Sequence, residues 1–367
     1  MNEARHVVGC MTGSSLDALD VALVRIVGRG LEMSAAVESF GSHPLDSLSG
    51  ELRRLIAGES VPMRTSVQLA DALGRVHAEA IASHLNGRRA DFIAVHGQTV
   101  VHAPPIGHQL INPWPIAHRF GIPVVCGMRD ADLALGGQGA PITPIADLIL
   151  FRHQTQSRAV VNLGGFCNIS RLPACQDARA GLGSVRGFDV CPCNHWLDHA
   201  ARERLGEACD LGGAAASRGR VDDSYCQMLS ARLEQLSGEG RSFGPGDDAL
   251  PMPASLSPED TLASIVHAIA GRIARETAGV DAVLLAGGSA ANSTLVSAIG
   301  DACAAPVSDT ASVGIMPAAR EAVAMAVLGA LCHDGVAVCL PQITGAEGSA
   351  VAGSWVFPHG MNGAIHD

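Results

Sequence analysis

The feature that most restricts this chain is a pattern that occurs twice. The apolar runs Val7 to Met11 and Val21 to Ile26 have the β-branched content of strands and flank a turn of small residues. In the second half, Ala159 to Leu163 and Phe166 to Ser170 flank Gly164-Gly165 in the same way. A strand–glycine–strand hairpin opening each half points to duplicated lobes that face each other across a cleft. At 367 residues the chain also exceeds the size at which one hydrophobic core keeps growing.

The first turn carries a definite chemistry. Gly13 lets the backbone approach a ligand closely, and successive N–H groups in such a turn form a concave anion site. Ser14 and Ser15 add hydroxyl donors. Asp17 and Asp20 would repel a bare phosphate, but they suit a hard cation such as Mg²⁺ held between carboxylate and phosphate, directly or through a water. The run Gly13, Ser14, Ser15, Leu16, Asp17, Ala18, Leu19, Asp20 therefore reads as a nucleotide-phosphate hairpin. Taken alone, it reads equally well as an ordinary turn with solvated Asp and Ser.

Composition narrows the class. Hydrophobic residues make up 47% and charged residues only 17%, as in a well-buried globular protein. The net charge of −11, with no Lys/Arg block, argues against nucleic acid or an anionic membrane as partner. The 11 cysteines are irregularly spaced and odd in number, which suits reduced thiols rather than a secreted disulfide framework. No apolar run reaches the ~18 residues of a membrane span, and Met1 to His6 leads into a strand without a signal-peptide core. A soluble, cytoplasmic protein is expected.

Along the first lobe, Leu31 to Phe40 reads as a third strand, and Leu52 to Ile56 and Val67 to Leu85 as helices. Asp91 to Val95 is a buried-type strand ending on His96-Gly97-Gln98-Thr99, where open α/β sheets place ligands. Ile122 to Cys126 is another strand, followed by Arg129, Asp132 and the loop Gly136 to Pro141. A helix from Pro144 to Phe151 leads to the second lobe. There Val185 to Asp189 reads as a strand ending on the aspartate, with a turn from Val190 to Asn194 and a helix from Trp196 to Leu205. Residues 210 to 260, rich in Gly, Ser and Pro, read as a mobile insertion or lid. An amphipathic helix follows from Thr261 to Thr277, then a strand from Ala282 to Ala286 that runs into Gly287-Gly288 and Asn292. A final helix spans Pro317 to Cys332, with proline in its first turn. The lobes are drawn as residues 1–143 with 336–367, and 144–335.

These segments together carry a family resemblance. Met11-Thr12-Gly13-Ser14-Ser15-Leu16-Asp17-Ala18-Leu19-Asp20 resembles the Met-Ser-Gly-Thr-Ser-x-Asp-Gly-x-Asp signature of anhydro-N-acetylmuramic acid kinases. Further blocks match in order. They are His96-Gly97-Gln98-Thr99, Arg129 with Asp132-Leu133-Ala134, Gly136 to Pro141, Asn162 to Gly165 with Asn168-Ile169, and Gly187-Phe188-Asp189. Gly287-Gly288 with Asn292, Glu321-Ala322 and Thr344-Gly345-Ala346 complete the series.

The resemblance implies an α/β, two-lobed actin/hexokinase-type fold with ribonuclease H-like duplicated lobes and a cleft between them. It implies ATP and Mg²⁺ as cofactors and a homodimer as the assembly. The implied reaction opens the 1,6-anhydro bridge of anhydro-N-acetylmuramic acid with water and phosphorylates O6, a step in recycling bacterial cell-wall sugar. In the same terms, Asp189 matches the base that activates the attacking water. ATP contacts fall on the phosphate hairpin, Gly164, Gly165, Gly287, Gly288 and Asn292, and Mg²⁺ on Asp17 and Asp20. Sugar contacts fall on His96, Gln98, Arg129, Gln138, Asn168 and Glu321.

Each of these residues also has a plainer reading. Asp189 by itself is a turn aspartate capping the next helix. His96 is a satisfied strand-end histidine, Arg129 a salt-bridge partner of Asp130 or Asp132, and Glu321 a first-turn acid complementing the helix dipole. Cys191 and Cys193, with His195 and His199, invite a zinc reading, but their spacing is no standard finger pattern, and buried free thiols are the plainer reading.

The chain departs from the family pattern in several places. Ala18 replaces a glycine, and an alanine at positive φ would be strained. Val190-Cys191-Pro192-Cys193-Asn194 stands for Thr-Gly-Pro-Gly-Asn. Gln109 to Pro113 replaces an Ile-Gly-Asp-Pro-type segment, and Gly240 to Phe243 a Lys-Ser-Thr-Gly-Arg-Glu-type block. Two alternatives accordingly stand beside the main reading: a kinase for another anhydro-sugar such as levoglucosan, and a catalytically silent sugar- or nucleotide-binding paralogue.

Overall fold

A computed structural model describes residues 4–13, 16, 18–238, 242–244 and 246–358. The chain divides into two compact units, Met1–Leu150 with Glu321–Asp367, and Phe151–Arg320.

The first unit is built on a six-stranded sheet. Strands β1 (Arg5–Thr12), β2 (Ala18–Val27) and β3 (Ser34–Pro44) form an antiparallel meander. Helices α1 (Asp46–Ile56) and α2 (Met63–Leu85) lead to β4 (Phe92–His96), which lies parallel to β1. A separate two-stranded hairpin, β5 (Gln98–Ala103) and β6 (Ile106–Leu110), follows at once. The strand-end tetrapeptide is thus split: His96 closes β4 and Gln98 opens the hairpin. After α3 (Trp114–Phe120), strand β7 (Val124–Cys126) pairs parallel to β4, and α4 (Asp130–Ala134) and α5 (Pro144–Phe151) close this stretch.

One face of the sheet, through Val8, Cys10, Ile93 and Val95, packs with Leu69, Leu73 and Ile81 of α2. Leu69 and Leu73 belong to the helical period, Leu69, Leu73, Val76 and Ala80, that marks α2 in the sequence.

The second unit repeats the plan. Strands β8 (Arg158–Leu163), β9 (Phe166–Leu172) and β10 (Arg186–Pro192) form an antiparallel meander, with the short helix α6 (Ala178–Gly181) between the last two. Helices α7 (Asn194–Leu205), α8 (Asp223–Gly238) and α9 (Pro258–Glu276) precede β11 (Ala282–Ala286), which lies parallel to β8. Then come α10 (Ser293–Ala302) and β12 (Val307–Asp309), parallel to β11. The sheet order is β10-β9-β8-β11-β12, against β3-β2-β1-β4-β7 in the first unit. Each unit thus has an antiparallel meander flanked by two strands parallel to its first, which is the duplicated ribonuclease H-like order of actin/hexokinase-type folds.

The chain then returns to the first unit. Helix α11 (Arg320–His333) lies on the other face of the first sheet, so close that a Cβ on Gly9 would sit 1.9 Å from the Ala322 carbonyl oxygen. The short helix α12 (Pro341–Thr344) and strand β13 (Ser354–Val356), antiparallel to β7, complete the unit.

Four expectations need correction. The divide between units falls at Leu150/Phe151 and Arg320/Glu321 instead of 143/144 and 335/336, because α5 and nearly all of α11 belong with the first unit. Residues 210–260 are not a lid: α8 lies among them and buries Tyr225, Leu229 and Leu233 in the second core. Strand β10 does not stop at Asp189; a bulge between Asp189 and Cys191 absorbs one extra residue, and pairing continues to Pro192. The helix at Pro317 begins as a 3₁₀ turn, Pro317–Ala319, and becomes α-helical at Arg320.

Candidate functional site

The sequence-chosen residues form two groups, one in each unit. In the first, the phosphate hairpin joins β1 to β2. Ser14, Ser15 and Asp17 lie outside the described residues. Gly13 accepts a hydrogen bond from the Leu16 N–H at 3.3 Å, and Leu16 takes the left-handed conformation at φ 59°. Ala18 begins β2 opposite Pro44 and is not at positive φ, so the strain considered for an alanine there does not arise. Leu19 is wholly buried in the first core, which leaves it only its backbone for a ligand.

Asp20 is paired with Met11 on one side and Ser42 on the other. Cross-strand partners project to the same face, and Met11 shares that face with Gly9, on which α11 lies. The carboxyl of Asp20 is pushed up to about 6, chiefly by burial; the Ser42 hydroxyl opposes the shift and the charge of Glu321 adds to it. Glu321 stands in the first turn of α11, as read from the sequence. Two acids are therefore held near each other in a partly desolvated place. A pair of carboxylates suits a hard cation.

His96 and Arg129 are joined. The Arg129 Nε–H donates to His96 Nε2 at 2.9 Å, and Nη1 donates to the Gly139 carbonyl at 3.1 Å. His96 is buried, and burial first and then the Arg129 charge hold it down at about 3, so the ring is neutral and accepts through Nε2. The bond satisfies His96, as the plainer reading of a strand-end histidine expects. Beside it, Gln98 is buried; its Nε2 donates to the Thr99 carbonyl at 3.3 Å, while its Oε1 has no hydrogen-bond partner. A buried acceptor without a donor is a place for a ligand hydroxyl. Gln138 is held through its backbone N–H by the Thr344 carbonyl at 3.0 Å.

Asp132, quoted in the family resemblance but given no contact there, is 1% exposed. Its carboxylate accepts from the Thr344 hydroxyl at 2.6 Å and from the Gly139 N–H at 2.7 Å. An acid in a helix of mostly apolar residues was the available signal.

In the second unit, Asn162, Asn168 and Asp189 are successive cross-strand partners on β8, β9 and β10. They form one row on one face of the sheet, at the carboxyl end of β8. Asn162 opens one of the blocks that carry the family resemblance, but it was given no contact there. Asp189 does not cap the following helix, whose N-cap is Cys193. Instead its Oδ2 accepts the Phe243 N–H at 2.8 Å. The Phe243 ring packs on Phe166, and Phe166 on His195.

The Gly164-Gly165 turn has a structural task as well. Its carbonyls accept the N–H groups of Asn194 at 3.0 Å and of Cys193 and His195 at 2.9 and 3.2 Å, which fixes the start of α7. Asn194 is also hydrogen-bonded to the Ser289 hydroxyl, tying that start to the turn after β11. Gly287, at φ 87°, lies against the Leu163 backbone, where a Cβ would come within 2.7 Å of the carbonyl oxygen. Gly288 faces open space, leaving its backbone accessible. Asn292 caps α10 by accepting the Leu295 N–H at 3.0 Å. Cys191 and Cys193 are buried free thiols, and Cys167, directly across from Cys191, shares a hydrogen bond with it. Among the described residues, no helix is long and apolar enough to cross a membrane.

Comparison with known proteins gives consistent family matches. The family model described as anhydro-N-acetylmuramic acid kinase matches residues 5–236 and 248–358. An anhydro-N-acetylmuramic acid kinase of Salinibacter ruber is 36% identical, covering 96% of this chain and 96% of its own length. Proteins of the same name from Synechococcus sp. and Bacillus cereus are 33% and 29% identical, each over 96% of this chain and 100% and 99% of their own. The chain belongs to the anhydro-N-acetylmuramic acid kinase family.

Proposed function

We propose that this chain uses ATP, with Mg²⁺, to open the 1,6-anhydro bridge of anhydro-N-acetylmuramic acid by hydrolysis and to phosphorylate O6, giving N-acetylmuramic acid 6-phosphate. The observation that carries the reading is the family match along nearly the whole described chain. Relatives that cover 96% of it are named for this sugar, which disfavours levoglucosan as substrate.

Water is a poor nucleophile, so a carboxylate must take its proton as the C1–O6 bond breaks. Asp189 has that role. The Phe243 N–H holds one of its oxygens, and its strand position continues the Asn162–Asn168 row. The oxygen of water bonds to C1, O6 leaves with the bond's electron pair, and O6 takes the γ-phosphoryl group while ADP departs. Bridge cleavage and phosphoryl transfer therefore assist each other.

Arg129, fixed by His96 and Gly139, supplies a planar guanidinium suited to the lactyl carboxylate of the sugar. Gln98 Oε1 accepts a sugar hydroxyl, and Gln138, Asn168 and Glu321 complete the sugar contacts. The turns at Gly13, Gly164-Gly165 and Gly287-Gly288 serve the nucleotide, along with the hairpin residues through Asp20 and with Asn292. Asp20, with Asp17, would hold Mg²⁺, which when bound neutralises phosphate charge. The protein acts in the cytoplasm as a homodimer; sedimentation velocity at micromolar concentration tests the assembly.

Incubation with ATP, Mg²⁺ and anhydro-N-acetylmuramic acid in ¹⁸O-labelled water tests the reaction. The label is expected at C1 and the phosphate on O6; an unlabelled C1 would overturn it. Asp189→Asn is expected to abolish turnover and leave ADP binding unchanged, and an active variant would remove Asp189 from the mechanism.

A further inference from the structure

The polar residues that ring Arg129 do not end at His96. The Gly139 carbonyl that holds its Nη1 belongs to a residue at φ 68°, in the left-handed region, so its direction depends on how the loop Gly136–Pro141 is pinned. The pin is Asp132. One carboxylate oxygen accepts the Gly139 N–H, the other accepts the Thr344 hydroxyl, and the Cys339 thiol also bonds to it. The Asp132 backbone carbonyl accepts the Gly137 N–H at 2.9 Å. Gly137 lies so close that a Cβ there would fall 2.3 Å from Asp132 Oδ2.

Thr344 comes from the returning tail, 212 positions further along the chain. The tail is tied to the loop twice more, by the Gln138 N–H to the Thr344 carbonyl at 3.0 Å and the Glu347 N–H to the Leu135 carbonyl at 2.9 Å. Asp132 is 1% and Thr344 4% exposed, so neither is placed to meet solvent. A buried carboxylate is tolerated only where donors surround it, and each donor removed leaves it short.

We infer that Asp132 and Thr344 are a positioning pair, which fixes the plane of the Arg129 guanidinium through Gly139 and thereby sets the preference for an anhydro-sugar bearing a carboxylate. This rests on the reading that Arg129 meets the lactyl carboxylate. A planar fork held at two points, His96 Nε2 and Gly139 O, has one orientation; if Gly139 turns, the fork tilts and a bidentate contact becomes a single one.

The test uses the full chain and four variants. For each, the KM for anhydro-N-acetylmuramic acid, the KM for ATP and the inhibition constant of 1,6-anhydro-N-acetylglucosamine, which lacks the lactyl group, are measured. Thr344→Val removes the hydroxyl at constant shape, and Gly137→Ala presses on Asp132 from the opposite side. Both are expected to raise the KM for the acidic sugar about tenfold while leaving the inhibition constant and the KM for ATP within about twofold. Thr344→Ser is expected to restore the parent value. A rise in both KM values together, with a lowered melting temperature, would show a merely structural role and overturn the proposal.

Arg129→Lys separates the two layers of the argument. If it erases the preference for the acidic sugar while Thr344→Val and Gly137→Ala keep it, the positioning role fails and the reading of Arg129 survives. If Arg129→Lys keeps the preference, that reading fails and the proposal falls with it.

Discussion

Gly9 is where strand β1 and helix α11 touch backbone to backbone, and Gly9→Ala measures how much of the site depends on that contact. The new Cβ would lie 1.9 Å from the Ala322 carbonyl oxygen and 2.6 Å from the Ala326 nitrogen. Both neighbours are backbone atoms and cannot swing aside. Ordinary contact begins near 3.4 Å, so the helix must lift off the strand by about 1.5 Å. Overpacking of this kind costs about 1–3 kcal/mol, and the rigidity of these neighbours puts Gly9→Ala at the upper end, about 3 kcal/mol. For a unit of about 200 residues that lowers the melting temperature by about 6–12 °C.

The displacement has a second consequence, because Glu321 immediately precedes Ala322 and sits beside Asp20. A shift of about 1 Å in a positioned group lowers turnover by about 100-fold. The assay is calorimetric unfolding together with steady-state phosphorylation of anhydro-N-acetylmuramic acid, below the melting temperature. Gly50→Ala is the control: Gly50 lies on the exposed face of α1 with nothing within 4 Å of the added methyl. That change is expected to be neutral or to stabilise by about 0.5–1 kcal/mol. A Gly9→Ala protein as stable and as active as the parent would refute the claim that this close approach places Glu321.

Three further outcomes follow from buried groups. His77 is held at about 4 by burial, against its hydrogen bond to the Leu73 carbonyl, and His96 at about 3. Below about pH 6.5 the unfolded chain protonates both and the native protein neither, so stability falls as pH drops from 6.5 toward 4, by up to about 2.7 kcal/mol per pH unit. Urea unfolding at pH 7, 6 and 5 should show this fall, and His77→Leu should halve it; an unchanged slope would exclude His77. Phe243→Pro removes the N–H that holds Asp189 and should lower kcat about 10- to 100-fold. Phe243→Leu keeps the N–H and should stay within a few-fold of the parent; equal losses would show that only the ring matters. Of the cysteines, only Cys209 is exposed; burial raises the thiols of Cys10 and Cys193, and the hydrogen bond with Cys191, then burial, raises that of Cys167. A thiol reagent should label Cys209 within minutes and Cys167, Cys191 and Cys193 only on unfolding; fast labelling of those three would contradict their packing.

Much of the fold was legible because it is written in neighbours along the chain. Alternation and β-branching mark β1, β2, β8 and β9, and the helical period of Leu69, Leu73, Val76 and Ala80 marks α2. The glycine turns announced the duplication. The strand β10 was cut short at Asp189 because a bulge and the Cys-Pro-Cys run hide its continuation; pairing with Cys167 and Phe166 carries it onward. The 210–260 stretch was misjudged because its polar and glycine-rich flanks outweighed the spaced apolar residues Tyr225, Leu229 and Leu233.

For the site, the sequence alone determined which chemistry was present: the carboxylates Asp20, Asp189 and Glu321, the histidine and arginine at 96 and 129, and the turns that free backbone N–H groups. Only the tertiary structure decided their company. It placed Arg129 on His96 and Gly139, Asp132 on Thr344, Asp189 on Phe243, and Gly9 against Ala322. Periodicity and turn propensity act between residues a few positions apart, whereas these contacts join segments tens to hundreds of positions apart. Such contacts form because sheet register and helix packing bring particular donors and acceptors together out of water, where each must find its partner.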